Sequence, residues 1–146
     1  MILNSDMRLM PIILLSFIYS TTINIPDDYP TIQQGIDVAQ DGDSVIVSPG
    51  IYHENLRITR SITLASHAIY DDLSQWNDFN EIFLEWEVTN NNINNTIIDG
   101  GSPEDDFFGS TILIYAQEDE CITPEIKGFT IQNGVGTSVE TFIGYN

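Results

Sequence analysis

The sequence predicts an all-β fold, a solenoid of short parallel strands preceded by one short capping α-helix. Three observations carry this prediction. The strand-like runs, such as Val45–Val47, Ile62–Leu64 and Thr111–Tyr115, are very short. Gly- or Asp-containing corners of varied length separate them, where antiparallel hairpins would show two-residue turns between longer alternating runs. Strong helical periodicity is confined to one segment, residues 31–40. Short strands of this kind bury their apolar faces by stacking each on the equivalent strand of the preceding coil.

In chain order, Thr22–Ile25 alternates polar and apolar residues and reads as a first strand, broken by Pro26-Asp27-Asp28-Tyr29-Pro30. Thr31 and Gln34 have the spacing of a capping box. Ile32, Gly35, Ile36 and Ala39 then fall on one helical face, with Gln33, Gln34, Asp37 and Gln40 largely opposite. A helix of about ten residues is marginal alone in water, so its Ile face must dock on something apolar. Gly42–Leu56 (GDSVIVSPGIYHENL) supplies strand, corner and strand again: Val45–Val47, a turn at Ser48-Pro49-Gly50, Ile51-Tyr52, then Leu56–Ile58. Ile62–Leu64 is the next strand, expected to lie beneath Phe129–Ile131.

Tyr70–Asn95 interrupts the pattern as a polar insertion with no basic residue. Thr96–Gly101 resumes it, Thr111–Tyr115 continues it, and Ile126–Gly134 (IKGFTIQNG) reads as a strand ending in an Asn-Gly corner. These strands amount to roughly two coils, against the ~3 repeats usually needed for stable stacking. The chain is therefore expected to be the N-terminal part of a longer solenoid, with the helix as lid on its first coil.

The chain has 146 residues, enough for one domain, and a formal net charge of -18 with four basic residues. Nucleic-acid binding draws on Lys and Arg to displace counterions, so DNA and RNA are not expected partners. Met10–Ile18 is a short apolar run preceded by Arg8 and followed by Ser20 and Thr21. It is too short for a bilayer core that needs ~20 helical residues, so no membrane span is expected. Residues 1–20 read as a secretory signal cleaved near Ser20, with Met7 as a better start because it leaves out Asp6. Residues 21–146 are then the cap and first coils of a secreted or cell-surface protein, monomeric at full length. Cys121 is the only cysteine, which rules out an internal disulfide and reads as a small, half-buried residue.

The segments IPDDYPTIQQGIDVAQDGDSVIVSPGIYHENLRITRSITLAS, TIIDGG and IKGFTIQNG resemble the N-terminal region of secreted right-handed parallel β-helix proteins of the pectin lyase-like superfamily. The resemblance implies a right-handed, single-stranded parallel β-helix in an extracellular setting. Gly50-Ile51-Tyr52-His53-Glu54 is similar to the GxYxE segment of pectin methylesterases, whose catalytic QDTL-, DFIFG- and LGRPW-like motifs are absent from this chain. No catalytic residue carries over.

Within the motif, Tyr52 is expected to pack under the turn and Glu54 to bond turn N–H groups, in preference to an acid–base role. His53 reads as a solvated surface residue. Asp99 is expected to hold an Asx-type turn, with a calcium site shared with Asp105 and Asp106 as the competing reading. Glu104-Asp105-Asp106 and Glu118-Asp119-Glu120 read as solvated loops, so no cofactor is expected and calcium is the one metal to test.

The binding candidates are Trp76, Phe79, Phe83 and Trp86 in the insertion. Sugar rings stack on exposed aromatics while carboxylates accept their hydroxyls. The favoured reading has these rings folding back to bury the base of the loop. The function expected from the whole is a non-catalytic secreted or cell-surface β-helix that binds polysaccharide. The alternative is the N-terminal part of a pectin-type lyase or esterase whose catalytic residues lie beyond residue 146.

Overall fold

The computed structural model describes residues 19–72, 74, 76–104, 108–117 and 119–137. The apolar run 10–18, Asp105, Asp106 and Glu118 lie outside the described residues. The fold is predominantly β, with few helical residues. Its elements in order are β1 (Thr22–Ile25), α1 (Ile32–Val38), β2 (Ser44–Val47), β3 (Gly50–Tyr52), β4 (Leu56–Ile58) and β5 (Thr63–Ser66). A 3-10 turn (His67–Tyr70) leads to β6 (Asn77–Asn80), β7 (Glu85–Val88), α2 (Asn91–Asn95) and β8 (Thr96–Asp99). β9 (Phe108–Gly109), β10 (Ile112–Ile114), β11 (Glu125–Lys127), β12 (Thr130–Gln132) and β13 (Gly136–Thr137) follow.

Three of the sheets are parallel, in the orders β1-β2-β5-β11, β3-β8-β12 and β4-β10. From β2 onward the chain visits them in rotation: β2, β3, β4, then β5, β8, β10, then β11, β12. Corners separate consecutive strands of each round, except that the β6–β7 insertion lies between β5 and β8. The register is in step, with Val45 beside Leu64 and Leu64 beside Ile126 in the first sheet. In the second, Ile51 lies beside Ile97.

One expected pairing is corrected. Ile62–Leu64 does not lie beneath Phe129–Ile131; β5 pairs with β11, and Thr130–Gln132 pairs with Ile97–Asp99. The segment read as one strand from Ile126 is two strands, because Gly128 at φ +78° turns the chain from the first sheet to the second. A Cβ at this position would lie 2.6 Å from Ser66 Oγ and 2.8 Å from Ala68 Cβ. Gly128→Ala combines left-handed strain with a clash against β5 and the turn after it. It should destabilise the fold by about 2 kcal/mol. Thermal unfolding at the wild-type temperature would contradict that expectation.

The inward side chains of the three sheets form one buried cluster: Ile25, Val45, Val47 and Leu64 from the first, Ile98 from the second, Leu56 and Ile58 from the third. Ile32 and Ile36 of α1 belong to the same cluster, so the helix docks by the face its periodicity predicts. Gly35 lets it approach closely, since a Cβ there would be 2.8 Å from Ile25 Cδ1. Among the described residues, no buried side-chain N or O lacks a partner.

The helix spans seven residues, shorter than expected, because Ala39 is already extended at ψ 147°. Both its ends are held by residues of the connections on either side of β4. Thr31 Oγ1 accepts from Gln34 N at 3.2 Å, the forward half of the capping box. The Glu54 carboxylate accepts from Ile32 N at 3.0 Å and Gln33 N at 2.9 Å, filling further helix-end donors. At the other end, Arg60 donates to the carbonyls of Asp37 and Ala39. Gln33 does a separate job: its Oε1 accepts from Arg57 N at 2.8 Å, and its Nε2 donates to Arg57 O at 3.3 Å. A side-chain amide thus covers part of the free edge of β4, where an open strand would invite pairing with another chain.

Candidate functional site

Two places carry the residue types that do chemistry or bind ligands: the corner at Gly50–Glu54 and the Tyr70–Asn95 insertion. At the corner, the Tyr52 ring lies against Gly50, where a Cβ would meet it at 3.2 Å. Its hydroxyl donates to Ser48 O at 2.9 Å, closing the turn. Burial, with a smaller contribution from the neighbouring Glu54 charge, raises the Tyr52 phenol above its ordinary value. A raised phenol is a weaker acid and holds its proton, so little phenolate is present to act as a base. Both Glu54 oxygens already accept N–H groups of α1. The pair therefore positions backbone.

Asp99 sits beside this corner as the turn residue its sequence context predicts. Its Oδ1 accepts from Gly101 N at 3.0 Å. Its Oδ2 accepts from Gln132 Nε2 at 2.9 Å and Asn133 Nδ2 at 3.0 Å, tying the end of β8 to the end of β12. His53 is exposed, with Nδ1 3.9 Å from Oδ2. The Gln132 hydrogen bond foremost, then that of Gly101, holds the Asp99 carboxyl below the usual carboxylate range. A folded carboxyl more acidic than the unfolded one adds stability fully above the unfolded value, and loses it as pH falls through the folded one. Asp99→Asn should therefore lower the melting temperature at neutral pH, and the two proteins should converge as pH falls through the lowered value of the folded carboxyl. A difference that stays constant with pH would show that the charge is not what holds the turn.

Two clefts flank α1. One of about 420 Å³ lies beside Glu54 and is lined among others by His53, Arg57, Glu104 and Phe108, with the Arg57 guanidinium 5.9 Å from the Phe108 ring centre. The other, of about 610 Å³, lies at the C-terminal end of the helix and is lined by Arg60, Glu120 and Cys121 among others. Cys121 is exposed there, a correction to the half-buried position expected of it: it sits in an irregular segment before β11, outside the apolar cluster. Among the described residues, no group of three or more His, Cys, Asp or Glu side chains is arranged to hold a metal ion.

The insertion is built differently from the expectation. β6 and β7 form an antiparallel hairpin in which Phe79 lies directly opposite Trp86 and Asn77 opposite Val88. Opposed residues share a face, so Phe79, Trp86 and Val88 line one side of the ribbon. Asp78 opposes Glu87 and Asn80 opposes Glu85 on the other side. The Phe79 and Trp86 rings are 5.3 Å apart and tilted by 58°. Asn80 Oδ1 accepts from Ile82 N and Phe83 N, shaping a tip at which Leu84 takes φ 54°.

The four aromatics do not fold back to bury the base of the loop. Trp76 and Phe79 are 41% exposed, and Phe83 and Trp86 are 67% exposed. The base is closed by Ile93 of α2, which is 9% exposed and whose carbonyl accepts from Thr130 Oγ1. Asparagines fasten the stem beside it. Asp71 accepts from Asn90 Nδ2 and Asn92 Nδ2, which hold its carboxyl below the ordinary range, and Asn94 Nδ2 donates to Val88 O. Trp76 is fixed through its carbonyl, which accepts from Thr89 N and Asn90 N. With the stem closed by Ile93 and Asn side chains, the rings stay outside.

Comparison with family models, with characterised proteins and with solved structures finds no match. Among the described residues, no helix is long and apolar enough to cross a membrane.

Proposed function

We propose that this chain is a non-catalytic, right-handed parallel β-helix protein of the pectin lyase-like type, secreted or held at the cell surface. It binds polysaccharide through the aromatic face of the β6–β7 hairpin. The observation that carries the binding reading is the exposed, cross-strand Phe79–Trp86 pair, with Trp76 and Phe83 also exposed. Apolar surface left in water on a folded domain marks an interaction site. Flat rings on a ribbon suit the C–H faces of pyranose units, and Asn77, on the same side of the ribbon, supplies an amide for sugar hydroxyls. The β-helix reading is supported by the rotation of the chain among three parallel sheets in matched register. The non-catalytic reading is supported by the engagement of Tyr52, Glu54 and Asp99 in backbone and turn bonds.

The test is a glycan array probed with the wild-type protein and with a Trp76→Ala, Trp86→Ala double variant. Removing two stacking rings should weaken the recognised glycan about tenfold or more. The melting temperature should hold, because both rings lie outside the apolar cluster. Wild-type protein that recognises no glycan, or a double variant that binds as well as wild type, would remove the proposal.

A further inference from the structure

Resting on the carbohydrate-binding reading of the hairpin's aromatic face, we infer that its ligand is a cationic glycan, a polymer carrying free amino-sugar groups, in preference to acidic or neutral ones.

The insertion 70–95 contains no Lys, Arg or His, yet it carries Asp71, Asp72, Asp78, Glu81, Glu85 and Glu87. The described basic side chains are committed elsewhere. Arg60 holds the end of α1, Lys127 pairs with Glu125 at 2.6 Å, and Arg57 lies over Phe108. On the ribbon, Asp78 stands directly opposite Glu87, a like-charge pairing that disfavours the hairpin. Glu85 follows on the same face, one position from Trp86 on the aromatic side. An isolated two-stranded hairpin is marginal in water at best, so uncompensated repulsion in it is conspicuous.

A sugar stacked on Phe79 and Trp86 lies across a single layer of backbone from these carboxylates, within about a Debye length of ~10 Å at moderate salt. The field it meets is negative from every side chain of the hairpin that bears a charge. An ammonium on the sugar is attracted both to that field and to the ring faces, which favour cations. A uronate is repelled, and a neutral sugar gains the stacking alone. Charge complementarity thus picks an amino-sugar polymer as the occupant.

The test is calorimetric titration with three oligomers of equal length, of glucosamine, N-acetylglucosamine and galacturonic acid. Mildly acidic buffer keeps the sugar amine protonated. Glucosamine oligomers should bind about tenfold more tightly than the acetylated ones at low salt, with galacturonate weakest. The preference should shrink towards unity in ~1 M salt, where the Debye length is about 3 Å. Asp78→Asn with Glu87→Gln should reduce the preference and leave binding of the acetylated oligomer in place. Equal binding of the glucosamine and acetylated oligomers would overturn the inference and leave carbohydrate binding standing. Glucosamine binding unchanged by Trp76→Ala, Trp86→Ala would also overturn it, by tracing the attraction to net charge away from this face. Silence with all three oligomers and with the glycan array would overturn the underlying reading as well.

Discussion

Ile36→Asp should leave the chain without a cooperative fold. Ile36 is 5% exposed on the face of α1 that joins the cluster of Ile25, Val45, Leu56 and Ile58. Losing the isoleucine forfeits about 2 kcal/mol of burial. Placing a carboxylate there adds several kcal/mol more, because the surroundings are apolar. A combined loss of about 5 kcal/mol or more equals the lower end of the ~5–15 kcal/mol by which a domain is ordinarily stable. Loss of the helix would also uncover the free edge of β4 that Gln33 closes, so aggregation should accompany unfolding. Ile36→Val serves as the control and should cost about 1 kcal/mol. An Ile36→Asp protein that stays soluble, with wild-type thermal unfolding, would show that the docking of α1 on the apolar cluster does not hold the fold together.

The second large effect is expected at Glu54. Its carboxylate bonds two consecutive N–H groups of a seven-residue helix, which has too few internal bonds to stand alone. Glu54→Ala leaves both donors without that acceptor, and Thr31 caps only the N–H of Gln34. Charge-assisted bonds of this kind are each worth more than neutral ones, so a loss of about 2–3 kcal/mol follows. Glu54→Gln keeps one oxygen acceptor and should lose about half of that. Hydrogen exchange at Ile32 and Gln33 should accelerate before that of the β2 amides, because the helix loosens first. Glycan binding well below the melting temperature should be unchanged. A Glu54→Ala protein with normal stability but altered binding would place Glu54 in the site.

Much of the stacked layout is legible in the sequence because local rules suffice for it. Short β-branched runs, Asp-Gly and Pro-Gly corners and the Ile32–Ile36 face each specify structure over a few residues, and they agree with one another. Asp43 illustrates a corner residue whose carboxylate accepts locally from Gln40 N, three residues away, and also from Thr21 N, 22 residues away, a partner the local pattern does not show. The pairing of Ile62–Leu64 was not legible. Which strands meet depends on where Gly128 turns the chain, and a glycine inside an apolar run signals a bend without giving its direction.

The carboxylate of Glu54 was expected to bond backbone N–H groups, but its partners lie 22 and 21 residues away on α1. The edge-closing role of Gln33 leaves no trace in periodicity, which places it simply on the polar side of the helix. The exposure of the aromatics is hidden from the sequence for a related reason. Composition favours burying rings, whereas here Ile93 and a set of Asn side chains close the stem and leave the rings outside. Alternating Phe79/Asp78 and Trp86/Glu87 was the available signal, since a strand with rings on one face and carboxylates on the other has its two sides set apart.

Both the lid and the placement of the hairpin depend on the chain returning to the same three sheets in parallel register. The direct measurement is cross-strand backbone NOE contacts around Leu64 in isotope-labelled protein. The account predicts a parallel pattern linking the Leu64 position both to Val45 on one side and to Ile126 on the other. Antiparallel contacts between neighbouring segments, such as β4 with β5, would contradict it.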